Sequence, residues 1–179
     1  MRLQDLLKRA DQNKNQPEHL FNIEHDQKIL LTEEMLRQMH QALGGTGSYR
    51  KKDVIQASPI TLPEASEVPR LVAHFMSQLQ ISKQMFHPIE YAAICHKRIL
   101  ELCPFEDKNE EVAFLVLNLL LSQAGYQSIV IRTEDRKTYE EVLIRAQHPS
   151  QPDIDGFFKF IAMCVIRKEE DNLLNGNKA

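Results

Sequence analysis

The chain has no long apolar run and no leader-like start. Its most apolar segment, Val112–Leu121, falls well short of the roughly 20 residues that a membrane-spanning helix needs, and no apolar N-terminal stretch resembles a secretion signal. Basic excess is missing too. Against 25 Asp and Glu there are 22 Lys and Arg, a formal net charge of −3, so charge gives no reason to expect nucleic-acid binding. Cysteine is scarce: Cys95, Cys103 and Cys164 form an odd set with neither close pairing nor metal-ligand spacing. That count excludes a disulfide framework and favours reduced thiols in the cytoplasm. No internal repeat, low-complexity block or second core divides the 179 residues. With 42% hydrophobic and 26% charged residues, the expectation is a soluble protein with one domain spanning 1–179.

What is present is helical periodicity. Met1 to Asn15 reads as a short amphipathic helix through Leu3, Leu6 and Leu7, ending around Asn13 to Pro17. Thr32 is an N-cap type, and a helix from Glu33 to about Leu43 would put Met35, Leu36, Met39 and Leu43 on one face. Glu33 and Glu34 suit its positive end, and Gly44-Gly45-Thr46-Gly47 stops it. His40 on this helix is read as a surface or half-buried structural residue. Val54-Ile55 and Ile60-Thr61-Leu62 are expected to pair as a small β-hairpin around Gln56-Ala57-Ser58-Pro59. Arg50-Lys51-Lys52 reads as a solvated basic face. A helix then runs from Glu64 to Gln80 through Val68, Leu71, Val72, Phe75, Met76 and Leu79, with His74 as a surface or structural residue. After Tyr126, Ser128 to Arg132 reads as extended, Glu134 to about Gln147 as a helix, and Asp153 to Leu174 as the last helix, its tail frayed. Phe157, Phe158, Phe160, Ile161, Cys164 and Val165 give that last helix a wide apolar face.

The stretch from His87 to Tyr126 organises the rest. Pro88 suits a first helical turn, and Ile89, Ala92, Ala93, Ile99, Leu100 and Leu102 form an apolar face up to Cys103. A polar loop, Glu106-Asp107-Lys108-Asn109-Glu110-Glu111, leads into Val112–Leu121. That segment is apolar on nearly every side except Asn118, as in a helix buried all round. Gly125 is placed to be its C′ residue.

Cys103-Pro104-Phe105-Glu106-Asp107-Lys108-Asn109-Glu110-Glu111-Val112-Ala113-Phe114 resembles the Fic motif, His-Pro-Phe-x-Asp/Glu-Gly-Asn-Gly-Arg-x-x-Arg. The closing Gln123-Ala124-Gly125-Tyr126, the helix with Ala92, Ala93 and His96, Gly47-Ser48-Tyr49-Arg50 followed by Val54, and the Asp135-Arg136 to Tyr139 region are similar to Fic proteins as well. Typical members transfer AMP from ATP to a protein hydroxyl. The resemblance implies a mainly α Fic-like helical domain, with its motif core at 87–126 and a β-hairpin flap at about 48–63. In the family the flap holds a target segment by strand addition, which assigns that role to Val54, Ile55, Ile60, Thr61 and Leu62.

Five motif positions depart from the family pattern. In an active relative the first residue is a His serving as base, whereas the thiol of Cys103 titrates near ~8.5 when unperturbed and stays mostly neutral at pH 7. Glu106 and Asp107 disfavour a thiolate further, and His96 is the one candidate activator on the preceding helix. Lys108 and Glu110 stand where glycines let phosphate approach the backbone. Glu111 replaces the first Arg, and a charge pair about 4 Å apart is worth ~4 kcal/mol at an effective dielectric of 20, so the change of sign matters. Glu110 and Glu111 can themselves satisfy the positive end of the following helix, in the place of a phosphate. Phe114 removes the second Arg. Asp107 remains as the lone metal-type carboxylate, and Lys108 and Asn109 remain as nucleotide contacts.

The expectation is a catalytically degenerate Fic-fold protein or interaction module. Cys103, Asp107, Asn109 and Glu111 then mark the degenerate motif rather than a working centre. ATP and Mg2+ are expected only if activity is retained, and the partner is another protein met through flap or groove, with homo-oligomer formation left open. Neither nucleic acid nor membrane is expected. The alternative is a transferase with an altered nucleotide-type donor or mechanism. No Ser or Thr is followed four residues later by Glu, so the chain carries no copy of the Ser/Thr-x-x-x-Glu inhibitory helix known among Fic relatives.

Overall fold

The computed structural model describes residues 1–12, 30–54 and 60–176, leaving aside the side chains of 172–176. It contains α1 (Leu3–Gln12), α2 (Glu33–Ala42), α3 (Val68–Met85), α4 (Pro88–Leu102), α5 (Asn109–Gln123), α6 (Arg136–Ala146) and α7 (Ile154–Gly176). Single 3-10 turns, Ala65–Glu67 and Thr133–Asp135, lead into α3 and α6. The architecture is mainly α, and among the described residues there is no strand.

Helices α4 and α5 form the central pair. Ala92 and Ala93 on α4 and Ala113 on α5 are fully buried, and such small side chains let the two axes approach closely. Helix α3 lies on α4, α2 on α5, and α1 and α6 both pack against α7. Ile99, Val116, Leu117, Leu121, Phe157 and Ile161, all fully covered, belong to the core that these helices share.

Local chemistry sets the helix ends. Thr32 Oγ1 accepts the Met35 N–H at 3.2 Å, the N-cap that its position in the sequence indicated. His87 and Glu90 form a capping box around Pro88: His87 Nδ1 accepts from Ile89 N at 3.3 Å, and Glu90 Oε2 accepts from His87 N at 2.9 Å. Gly125, at φ 85°, ends α5, with the Tyr126 N–H reaching back to Leu121 O and the Gly125 N–H to Ser122 O.

Several expectations are corrected. Helix α3 starts at Val68 and runs on to Met85, because nothing before Pro88 breaks it, although Ile81 and Met85 lie 63% and 72% exposed. Helix α5 is not buried all round: Leu115 is 40% exposed. The segment Ser128–Arg132, read as extended, joins no sheet among the described residues; the side-chain amide of Asn118 instead takes both backbone groups of Ile129, N–H at 2.8 Å and C=O at 3.0 Å. The one polar residue inside the apolar run thus serves as a strand substitute.

The flap is the larger correction. Val54, Ile60, Thr61 and Leu62 form no hairpin ladder, while Ile55 lies outside the described residues. The carbonyls of Lys52 and Pro63, which a ladder would use across the strands, both accept from the Arg50 guanidinium. Asp53 Oδ1 accepts the Ala65 N–H at 2.7 Å. Side chains close this segment at its base. The expected end of α1 at 13–17 also lies outside the described residues, as do residues 177–179 of the tail.

Candidate functional site

The motif runs through the loop between α4 and α5, residues 103–108, and on into the first turns of α5, at one end of the central helix pair. Cys103 is the C-cap of α4 in the left-handed region, φ 43°, with its N–H on Ile99 O at 2.9 Å. Lys108 caps α5 at φ 55°. Each non-glycine residue held there costs about 1–2 kcal/mol, so the loop keeps a glycine-type backbone without the glycine. The Lys108 Nζ donates to Leu43 O, which turns its charge toward the end of α2.

Asn109 is engaged in holding the loop. Its Oδ1 accepts the Phe105 N–H at 2.9 Å and its Nδ2 donates to the Phe105 carbonyl at 2.9 Å, closing the turn around a buried Phe105 ring. That ring stacks on His40 from α2, with centroids 4.0 Å apart and planes at 18°. His40 is 2% exposed, not a surface residue. Its Nδ1 accepts the Gly47 N–H at 3.1 Å, so the proton sits on Nε2, which donates to Asp107 Oδ1 at 3.0 Å. Gly45 is required beside it, since a Cβ there would lie 2.2 Å from the His40 ring.

Among the described residues no base is paired with the Cys103 thiol. Burial raises its thiol pKa, with Arg50 offsetting only part of that. His96 lies seven residues back along α4, about 10 Å by helical rise. Its Nε2 pairs with the Tyr139 hydroxyl at 2.8 Å, and burial lowers its pKa to about 4, so it is neutral. Phe114 joins this cluster, 4.7 Å from the His96 ring and 5.5 Å from Tyr139. The position of the second motif Arg now holds a half-buried ring packed against the core.

Glu110, in the first turn of α5, meets Arg136 at the start of α6. Arg136 Nη2 donates to Glu110 Oε2 at 2.8 Å and Nη1 lies beside Oε1, while Nε reaches Glu140 at 2.9 Å. These carboxylates raise the Arg136 pKa still further. Glu111 is exposed. A hard dication seeks several oxygens, whereas Asp107 offers one carboxylate already shared with His40. Among the described residues no group of three His, Cys, Asp or Glu is placed to hold a metal. These side chains do not by themselves fit a magnesium seat.

A cavity of about 750 Å³ lies elsewhere, at the Pro88 and Tyr91 end of α4, beside Gln123 on α5 and Lys83 on α3. The whole length of α4 separates it from the motif loop.

The Fic/DOC family model matches residues 30–121, just over half of the chain. The chain belongs to the Fic/DOC family. Protein adenylyltransferase Fic of Aedes aegypti is 35% identical over 123 residues, which are 68% of this chain and 24% of that protein. Its namesake in Nematostella vectensis is 34% identical over 68% of this chain and 28% of its own length. The chain thus spans about a quarter of these relatives. A Fic domain containing signaling protein from Bacteroides thetaiotaomicron superposes with a TM-score of 0.72 at 25% identity, covering 94% of this chain and 68% of that one.

Within the Fic frame, three site residues escaped the sequence reading: His40 as the partner of Asp107, Arg136 as the partner of Glu110, and Arg50, whose side chain is fully covered. Lys51 and Lys52 are exposed, as a solvated basic face requires, and Arg50 alone turns inward. Periodicity gave no signal for these pairings. The flap positions Val54, Ile60, Thr61 and Leu62 stand on the segment that Arg50 ties to Cys103.

Proposed function

We propose that this Fic-family chain does not carry out ordinary AMP transfer and serves as a protein-interaction module built on the Fic fold. The observation that carries this reading is the Glu110–Arg136 pair. At the start of α5, where the backbone N–H groups of a helix favour an anion, the protein supplies a carboxylate of its own and binds it with two arginine nitrogens. The other groups that would serve a nucleotide are also engaged: Lys108 with Leu43 O, Asn109 with Phe105, and Asp107 with His40. Cys103 holds a buried, neutral thiol where the transfer chemistry calls for a base. No nucleotide or metal is needed for such a role. The motif loop and the segment from Val54 to Leu62 are then the surface offered to a protein partner in the cytoplasm.

Incubation with labelled ATP, magnesium and manganese, using the wild type and Cys103→Ala, tests the first half. Neither is expected to label itself or a bystander protein. Robust labelling that disappears in Cys103→Ala overturns the proposal and makes Cys103 catalytic. For the second half, a partner should slow hydrogen exchange across residues 54–62. Binding that leaves those amides unchanged counts against the flap.

A further inference from the structure

Arg50 carries its charge into a fully covered position and directs it at main-chain carbonyls. The side chain is 0% exposed, and its nearest carboxylate, Asp53, lies 3.6 Å away and is itself 70% exposed. The guanidinium donates through Nε to Cys103 O at 2.8 Å, through Nη1 to Lys52 O at 3.2 Å and through Nη2 to Pro63 O. The backbone N–H of Arg50 donates to Pro104 O at 2.9 Å. A buried cation needs such partners, and here they come from three separate stretches of chain. Lys52 and Pro63 stand at the two ends of the flap segment, and Cys103 stands at the left-handed turn that opens the motif loop. The guanidinium is planar and its donors are fixed relative to one another, so a shift of one carbonyl misaligns the others.

We propose that Arg50 is a positioning residue that couples the base of the flap segment to the Cys103–Pro104 turn, so that a change at either is felt at the other. The coupling is reciprocal by thermodynamic necessity. It does not depend on whether the motif loop takes a protein partner or whether any nucleotide binds.

The three cysteines provide the readout, because Cys95, Cys103 and Cys164 are 0%, 3% and 7% exposed in different surroundings. The whole chain would be treated with iodoacetamide, and the rate at each cysteine followed by mass spectrometry, alongside amide exchange at residues 60–62. In Arg50→Met and Arg50→Lys the expected result is a rise of about tenfold at Cys103, with Cys95 and Cys164 unchanged and exchange at 60–62 faster in step. Lysine keeps the charge but loses the fork, so wild-type rates in Arg50→Lys would overturn the proposal. A parallel rise at all three cysteines means general loosening and overturns it, as does a change at Cys103 that leaves 60–62 unmoved. Asp53→Ala probes the opposite direction with the Arg50 side chain kept, by releasing the Ala65 N–H at the flap base and removing the carboxylate 3.6 Å from the guanidinium. It should quicken Cys103 alone, and an unchanged Cys103 rate would refute the coupling even where Arg50→Met fails to fold.

Discussion

His40 Nε2 donates to Asp107 Oδ1 across 3.0 Å, and the Gly47 N–H held on Nδ1 fixes which ring nitrogen is the donor. A histidine from α2 has taken hold of the carboxylate that the Fic motif otherwise offers to a metal. The ring keeps no lone pair free for a reacting hydroxyl, since one nitrogen accepts and the other donates. His40 is a latch on the motif loop and not a replacement base.

Millimolar ATP with Mg2+ is expected to leave the melting temperature of the wild type unmoved in calorimetry. A ligand present at a hundred times its Kd adds about 2.7 kcal/mol, which for a chain of this size is a shift on the order of 5 °C or more. A shift of that size would show that Asp107 and the loop still seat a nucleotide.

Asn109 predicts a graded series. Asn109→Ala removes both bonds to Phe105 and is expected to cost about 1–3 kcal/mol in denaturant unfolding, since it also leaves backbone groups of the loop without partners. Asn109→Asp keeps the acceptor for the Phe105 N–H and loses the donor to its carbonyl, so it should fall between alanine and wild type. An alanine variant as stable as wild type would remove Asn109 from this role.

Cys103→His alone is expected to give no AMP labelling. A general base contributes about 10²–10⁴ in rate, but only to a phosphate that is already seated. Glu110 would still hold Arg136, and Phe114 would still lie among His96 and Tyr139. Labelling from this single change would show that the anion site survives behind the carboxylates.

His96 makes stability fall in mild acid. Burial lowers its pKa from 6.5 to about 4, with the backbone at Ala113 offsetting only a part. Between those values the unfolded chain binds a proton that the folded chain refuses, so stability declines as pH falls from about 6.5 to about 4 and then levels off. The slope is about 1.4 kcal/mol per pH unit, roughly 3 kcal/mol in total. His96→Gln, which can still pair with Tyr139 but does not titrate, should lose this component in denaturant midpoints measured across that range. The same slope in the variant would assign the effect to other groups.

Much of the helix plan followed from local order. Thr32 ahead of Glu33-Glu34, Pro88 in a first turn, and Gly125 after an apolar run each act through bonds within a few residues, and each marks a real helix end. The five motif departures were legible because each is a change of side chain at a fixed register. The flap misled the reading because Val54-Ile55 and Ile60-Leu62 have the composition of strands, whereas Arg50 takes the carbonyls at the base.

By itself the sequence determined the family, the mainly α class, the helix spacing and the loss of the motif base, glycines and arginines. Only the tertiary structure decided what replaced them. His40 stands 67 positions from Asp107, Arg50 is 53 from Cys103 and Arg136 is 26 from Glu110, and no local pattern connects such pairs. Helical periodicity reports which face of a segment is apolar, so it can show that a side chain is available but not what it meets. Packing α2 and α6 beside α5, and the Arg50 turn beneath α4, brought each charge to its partner. A buried or half-buried charge must then be matched by whatever the fold sets next to it.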